Sequence, residues 1–363
     1  MEVQAKYEII KKDLISAIEE GRFLADEKIP SENELCRQYG TSRITVRKAI
    51  DELAVMGLVY RVQGVGTFVA DRQQKAKKKQ RILVIVSDSG LFLGSRMMYQ
   101  IMQGVDGVVY KNGGVSVYIR EPKEDEELRR AFLEQVRMEK PDGIIYLFYS
   151  GSSVVDELAS LEVPIVFIDT EPKKAYGDVV VGEDYTSAYQ AAKQMISQGI
   201  RRIGYFCIWE PLSSVAENRC RGIVDALEEE GIAYRREWIL KKRTGIRMEF
   251  FMQNQEILEE AKRYLRENPE LEAVITMNDN NACMVCEAAS ALNIRIPENL
   301  KLISYGNYDF CEYLGGGLTS FDQNFDKYGK EAAKLLLNRL EGKLPEEPQR
   351  RFIKYQLQRR GSF

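Results

Sequence analysis

The spacing of apolar residues changes once along the 363-residue chain, at Arg81, and this change limits the folds available. Residues 7–56 follow helical spacing in three stretches. LVYRV and TFVA then alternate on either side of a glycine-rich turn, which predicts three helices and a β-hairpin. After Arg81, short β-branched runs such as RILVIV, GIIYLF and AVITM are separated by amphipathic helical stretches. That alternation predicts right-handed βαβ units and parallel sheets, in a region long enough for two lobes.

The change in spacing also divides the chain. We predict a winged helix-turn-helix at residues 1–70, a linker at 71–80 and a larger α/β domain at 81–363. The linker is polar and basic, which suits either a solvated spacer or an arm that contacts the DNA backbone. Residues 1–80 hold 15 Lys and Arg against 12 Asp and Glu, although the whole chain has a formal net charge of -3. Such asymmetry is typical of a nucleic-acid module joined to another domain.

The helix-turn-helix can be followed residue by residue. Ser31 and Glu34 form a capping box that opens a second helix, and Gly40 ends that helix. A third helix follows, capped by Thr41 or Ser42, and its buried stripe consists of Val46, Ala49, Ile50 and Leu53. The residues off that stripe near the N-terminal end are Ser42, Arg43, Thr45 and Arg47. Arginine pairs well with guanine in the major groove, and hydroxyl groups suit phosphate oxygens, so we predict a recognition helix.

The segments PSENEL, SRITVRKA, LAVMGL and GVGTFV together resemble the N-terminal domain of the GntR (gluconate-repressor) family. The resemblance implies that the wing tip lies in or near the minor groove of DNA. It also implies which residues face double-stranded DNA: Ser31, Glu32, Asn33, Ser42, Arg43, Thr45, Arg47, Gln63, Gly64 and Gly66. Asn33 stands where many members of that family carry arginine.

The larger domain contains VVVGEDYTSAY, ENRCRGIVDAL, AVITMNDNNAC, LKLISYGN and LTSFDQNF in that order. These segments resemble the sugar-sensing domain of LacI/GalR repressors, which is similar to periplasmic sugar-binding proteins. The resemblance implies a two-lobed α/β periplasmic-binding-protein-like (type I) domain that holds an effector between its lobes and forms dimers. The implied effector contacts are Asp169, Arg219, Asn278, Asp279, Asn307 and Gln323, with Phe325 as a stacking wall.

Other interpretations of these residues stay open. Arg219 would also suit a solvated helix face, and Asp279 would also suit a helix cap. The family carries an aspartate at the position of Gly306, so either Asn307 or Asp309 is expected to replace it. Trp209 and Trp238 suit either pocket walls or the core.

The fusion of these two domain types resembles the arabinose repressors of the AraR type over the whole chain. That resemblance implies a homodimeric repressor of a palindromic operator, released by a small sugar, with L-arabinose the leading effector. The alternative is a DNA-binding domain fused to an enzyme-like domain, for example one that binds pyridoxal phosphate. We find no lysine neighbourhood typical of a Schiff base, and we expect no catalytic residues and no cofactor.

Composition further limits the catalytic sites, metal sites and cellular locations that we expect. Histidine is absent, which excludes Ser-His-Asp and Cys-His catalysis and histidine-containing metal sites. Cys283 and Cys286 stand alone on an amphipathic helix, which favours packing, and we expect no metal. The N-terminus lacks the apolar core of a signal peptide, and no run is long enough to span a membrane. Six irregularly spaced cysteines suit a reducing compartment, so we expect a cytoplasmic protein without a membrane partner.

Overall fold

The computed structural model describes residues 6–24, 26–62, 65–70, 79–87, 96–122, 125–149, 151, 154–209, 214–243 and 255–363. The chain divides into two units, Met1–Lys78 and Lys79–Phe363. This division falls within the predicted linker 71–80. Residues 71–78 lie outside the described part of the chain, so the linker remains a prediction.

The first unit consists of three helices followed by a hairpin. The elements are α1 (Lys6–Glu19), α2 (Glu32–Tyr39), α3 (Arg43–Val55), β1 (Val59–Val62) and β2 (Gly66–Val69). The predicted capping box is present, because the Ser31 hydroxyl accepts from the Glu34 amide and the Glu34 carboxylate accepts from the Ser31 amide. Gly40 then ends α2 with a φ of 55°.

The same side of α3 that the sequence predicts to be buried forms the core of this unit. Val46, Ala49, Ile50 and Leu53 are buried, and they pack with Ile10 and other apolar residues of α1, α2 and the hairpin. Ser42 caps α3 by accepting from the Thr45 amide at 3.4 Å. With the core fixed on one side, the opposite side of α3 faces solvent.

The second unit contains two six-stranded sheets, and helices separate most of their strands. The strands of the first lobe, in spatial order, are β13 (Arg350–Ile353), β7 (Asp178–Gly182), β6 (Ile165–Ile168), β5 (Gly143–Leu147), β3 (Arg81–Val86) and β4 (Val115–Arg120), all parallel. Those of the second lobe are β14 (Gln356–Gln358), β12 (Thr319–Asp322), β11 (Lys301–Tyr305), β10 (Ala273–Thr276), β8 (Ile203–Trp209) and β9 (Ile239–Arg243). Among these strands of the second lobe, only β14 is antiparallel to its neighbour.

Helices cover both sheets, as parallel strands require. In the first lobe they are α4 (Arg96–Lys111), α5 (Glu126–Glu139), α6 (Val154–Ala159) and α11 (Phe325–Leu340). In the second lobe they are α7 (Asp184–Ser197), α8 (Ser214–Glu229), α9 (Gln255–Glu267) and α10 (Asp279–Ala291). None of the helices in the described ranges has the length and hydropathy that a membrane span requires.

The chain passes between the lobes three times. The first crossover is at Glu183, between β7 and α7; the second is at residues 323–324, between β12 and α11; the third is at residues 354–355, between β13 and β14. The parallel strands of each lobe end at the edge where these crossovers begin. Ligands of open α/β sheets bind beyond the carboxyl ends of the strands, so this edge is where a cleft is expected.

Gly182, the last residue of β7, lies so close to the third crossover and to α11 that a side chain has no room there. A Cβ atom at this position would overlap the hydroxyl groups of Tyr355 and Tyr328. We therefore expect Gly182→Ala to cost about 1–3 kcal/mol of unfolding free energy through overpacking. Chemical denaturation of the full chain measures this cost.

Gly107 provides the matched control for that substitution. It lies on the exposed side of α4, and beyond its own helix no atom of the described residues comes within 4 Å of the position that a Cβ would take. Gly107→Ala should leave stability unchanged or raise it by up to about 1 kcal/mol, since alanine is the better helix former. Equal effects of the two substitutions would contradict the close packing around Gly182.

Candidate nucleic-acid interface and ligand cleft

The N-terminal part of α3 presents the predicted DNA-binding residues to solvent. Ser42, Arg43 and Arg47 are exposed, and Thr45 is half-buried with its hydroxyl 2.9 Å from that of Ser42. Ser31 and Asn33 are exposed at the start of α2, and Gly66 opens β2. Gln63 and Gly64, the predicted wing tip, lie outside the described residues.

Glu32 forms hydrogen bonds with two arginines of this surface, Arg43 and Arg47. Its carboxylate accepts from the Nε atom of Arg43 at 2.9 Å and from Arg47 at 3.2 Å. Arg61 of β1, which the sequence did not single out, lies 3.9 Å away and pairs with Asp51 at 2.6 Å. The hydrogen bond from Arg47 lowers the pKa of Glu32; Arg43 adds to this effect and burial opposes it. The Glu32 side chain is 19% exposed, so it restrains the arginines more than it faces solvent.

The second unit contains a buried ion pair at the edge where the strands end. Arg219 of α8 and Asp184, the first residue of α7, are 2% and 3% exposed. The Nε and Nη2 atoms of Arg219 reach one Asp184 carboxylate oxygen at 2.9 and 2.7 Å. The Nη1 atom donates to the Met277 carbonyl, and the Tyr305 ring lies 3.8 Å from the guanidinium carbon. Burial alone would lower the pKa of Arg219, but Asp184 and the surrounding tyrosines raise it above the ordinary value.

Arg219 therefore differs from one of the two sequence interpretations, and its contact with an effector remains a prediction. It is not a solvated helix residue, and its three nitrogen atoms already have partners inside the protein. The sequence missed Asp184, although this residue lies in the quoted segment VVVGEDYTSAY. A carboxylate 35 positions away along the chain could not be paired with Arg219 from spacing alone.

Tyr355 lies in the third crossover, and its side chain forms hydrogen bonds with residues at the first and second crossovers. Its hydroxyl donates to Asp184 at 3.1 Å and accepts from the side-chain amide of Gln323 at 3.0 Å. It also lies 2.9 Å from the hydroxyl of Tyr328 on α11, a helix of the first lobe. Of the predicted effector residues, Gln323 belongs to this network, and Phe325 is buried against Tyr328.

The carboxylate of Asp169, another predicted effector residue, has no hydrogen-bond partner among the described residues. The residue follows β6 with a φ of 74° and is half-buried. Burial raises the pKa of Asp169 to about 7; the charge of Asp184 adds to the rise, and Arg219 opposes it. Asp169 and Asp184 line one cavity of about 260 Å³, together with Glu171, Glu183, Arg221 and Arg350.

Asn278 and Asp279 have structural partners. Asn278, rather than Asp279, caps α10, since its side-chain oxygen accepts from the Asn281 amide at 3.0 Å. Asp279 is fully buried, and its two oxygens accept from Ser320 at 2.6 Å and from the Tyr308 amide at 2.9 Å. Burial raises the pKa of Asp279. The alternative that Asp279 caps its helix is therefore wrong.

The carboxylate of Asp279 also explains why a glycine occupies position 306. A Cβ at this position would lie 2.8 Å from an Asp279 oxygen, and the backbone φ of 130° disfavours any side chain. The two expected replacements for an aspartate here have other partners. Asn307 bonds Arg360 at 2.7 Å and Asp322 at 3.3 Å, and Asp309 pairs with Arg96 of α4. Trp238 is buried in the core, and nothing is described of the Trp209 side chain.

Comparison with known proteins supports both halves of this description. Residues 6–69 match the profile of bacterial regulatory proteins of the gntR family, and residues 192–363 match that of a periplasmic binding protein-like domain. The arabinose metabolism transcriptional repressor of Halalkalibacterium halodurans is 28% identical over 353 residues, which cover 93% of this chain and 90% of that protein. The protein of the same description from Geobacillus stearothermophilus is 24% identical over 93% of this chain and 91% of its own length.

Solved structures agree on the fold. A transcriptional regulator, CelR, in complex with cellobiose matches with a TM-score of 0.68 and 19% identity, over 88% of this chain and 90% of that one. The predicted fold, a winged helix-turn-helix followed by a two-lobed periplasmic-binding-protein-like domain, is confirmed.

The Glu32 cluster leads to a prediction about specificity. We expect Glu32→Ala to raise affinity for random DNA slightly, because a negative charge is lost from the interface. Affinity for a selected operator should fall relative to random DNA by about tenfold, since untethered arginines lose orientation worth about 1–3 kcal/mol per base contact. Fluorescence anisotropy with both DNAs measures the ratio. Glu52→Ala is the control, because Glu52 pairs with Lys11 and none of the three arginines; identical ratios in both variants would contradict the role of Glu32.

Asp169 leads to a prediction about pH. A folded-state pKa of about 7, against 3.8 ordinarily, means that ionisation of Asp169 destabilises the folded state as pH rises from about 4 to about 7. Asp169→Asn removes this loss, so the melting temperature should rise more at pH 8 than at pH 4.5. Calorimetry of both proteins at the two pH values measures the difference. A gain independent of pH would show that the carboxyl group is not desolvated.

Proposed function

Since the chain joins a GntR-type DNA-binding domain to a periplasmic-binding-protein-like domain of the LacI type, we propose that it is a transcriptional repressor controlled by a small carbohydrate. The observation that carries the proposal is the Asp169 carboxylate in the cleft of the second unit, which no donor in the described ranges bonds, in a chain whose first unit presents a recognition helix. Carboxylates placed in clefts grip pairs of hydroxyl groups, and a polyol supplies such pairs. Two repressors of arabinose metabolism match nearly the whole chain, which supports the same role.

The charges of the cleft favour an unphosphorylated sugar. Four carboxylates line the cavity, those of Asp169, Glu171, Glu183 and Asp184. Asp184 already neutralises Arg219, and Glu171 pairs with Arg350 at 3.0 Å. Arg221 is the second arginine of the lining, and it faces the two remaining carboxylates of Asp169 and Glu183. A phosphate group would add charge of the same sign as this carboxylate excess, which disfavours binding. L-arabinose, which is neutral and rich in hydroxyl groups, is the effector that we propose.

A homodimer on a palindromic operator is the second part of the proposal. One winged helix buries too little surface for high specificity, and two-fold symmetric operators match two copies of a reading head. The alternative of a DNA-binding domain fused to a pyridoxal-phosphate enzyme has less support. The matched profile of residues 192–363 is that of a binding domain, and the relatives that match most of the chain are repressors.

The experiment is release of the protein from operator DNA by sugar. L-arabinose should release the wild-type protein and raise its melting temperature, because a ligand stabilises the state that it binds. Asp169→Asn should keep operator affinity and require at least about tenfold more sugar, since one charge-assisted contact contributes about 1.5–3 kcal/mol. Arg219→Ala is unsuitable, because it would leave Asp184 buried and unpaired at a cost of about 3–5 kcal/mol.

Glu183→Gln is the matched control, because it removes the same charge from the same cavity without changing Asp169. It should respond to sugar as the wild type does. If Asp169→Asn also responds normally, Asp169 is not an effector contact. If the wild type is released by another sugar but not by L-arabinose, the repressor remains supported and the effector is different.

A further inference from the structure

Ile44 is an apolar residue on the side of the recognition helix that faces away from the core. It is the second residue of α3, and its side chain is 83% exposed. At about 100° per residue, Ile44 lies about 160° around the helix from the buried Val46. Single exposed apolar residues need no explanation by themselves. The position of this one, at the outer side of the N-terminal turn, is where a recognition helix meets base edges.

The neighbouring cations flank Ile44 rather than cover it. Arg43 and Arg47 are drawn to one side of the helix by Glu32, which accepts hydrogen bonds from both. Lys48 lies on the other side, with its ammonium group 3.8 Å from the centre of the Tyr7 ring. The tethered arginines and the stacked lysine leave the Ile44 side chain to face outward between them.

An isoleucine side chain has no hydrogen-bonding group, so it cannot read the donors and acceptors of a base edge. The apolar feature that a base pair presents in the major groove is the C5-methyl group of thymine. We propose that Ile44 is a specificity-determining residue that selects thymine at one position of each half-site by packing against this methyl group. The proposal rests on the operator binding proposed above.

A protein-docking surface is the competing interpretation of the same residue. Val55 is 89% exposed and lines the same groove of the first unit as Ile44. The two residues are eleven positions apart on α3, which corresponds to about 16 Å. Met56 lines the groove beside Val55, and the charged residues Lys48, Asp51 and Glu52 line it between Ile44 and this apolar pair in sequence. This arrangement favours a single apolar contact over a docking surface.

Deoxyuridine tests the proposal directly, because it differs from thymidine only by the missing methyl group. The full-length protein first selects its operator from a random duplex library. Each thymine of that operator is then replaced by deoxyuridine, and affinity is measured by anisotropy at fixed salt. We expect one position per half-site at which the replacement weakens wild-type binding about fourfold, the effect of losing one buried methyl group.

Three variants complete the test, and all alter exposed side chains, so their melting temperatures should equal that of the wild type. Ile44→Ala should bind thymine and deoxyuridine operators equally well. Ile44→Val keeps a branched apolar side chain and should retain most of the discrimination. Val55→Ala should retain all of it.

The outcomes separate this proposal from the one on which it rests. A selected operator whose affinity is unaffected by deoxyuridine at every position overturns the role of Ile44 alone, as does methyl discrimination that persists in Ile44→Ala. Equal loss of operator affinity in Ile44→Ala and Val55→Ala, with no dependence on the methyl group, shows that both residues act through a contact other than a thymine methyl group and also overturns it. Failure of the wild type to select any sequence overturns operator binding itself, and the role of Ile44 with it.

Discussion

The ion pair of Arg219 and Asp184 is the interaction on which the larger unit depends. Burying two charges costs several kcal/mol per ion unless their remaining hydrogen-bonding groups are satisfied. Here the Arg219 guanidinium donates a further hydrogen bond to the Met277 carbonyl and lies over the Tyr305 ring. The Tyr355 hydroxyl donates to the Asp184 carboxylate. The pair thereby fixes two helices and two strand ends of the second lobe against the third crossover. Its stability is a condition for the cleft to exist.

A change in the angle between the lobes would alter the hydrogen bonds of the Tyr355 hydroxyl. Its partners belong to the first lobe, the second lobe and the second crossover, through Tyr328, Asp184 and Gln323. A rotation of one lobe against the other cannot keep all three bonds at their present lengths. A ligand bound beside Asp184, as proposed above, would therefore act on the same hydrogen bonds that join the three crossovers. Coupling of this kind is reciprocal, so whatever biases the hinge from outside also changes affinity for the ligand.

The sequence predicted most of the fold because its patterns are local. The capping box, the buried stripe of α3 and the β-branched strands all depend on residues a few positions apart. The strands β13 and β14 were not singled out, since RRFI and QLQ are short, carry charged or polar residues and lie at sheet edges. The residues of the cleft were harder to predict, because the resemblance to LacI/GalR sensors points to Arg219 and Asp279 but not to their buried partners. Whether a polar side chain meets a ligand or another residue depends on contacts that are distant in sequence.

The order of the strands has a consequence for how this chain is made. The first unit is continuous in sequence, whereas each lobe of the second takes its last strand from residues 350–358. A ribosome releases the chain from the N-terminus, and domains generally fold as they emerge. We therefore expect the recognition helix to be folded while both sheets still expose an unpaired edge at β7 and β12. Until those last strands are synthesised, the nascent chain has a folded DNA-binding unit but an incomplete second unit.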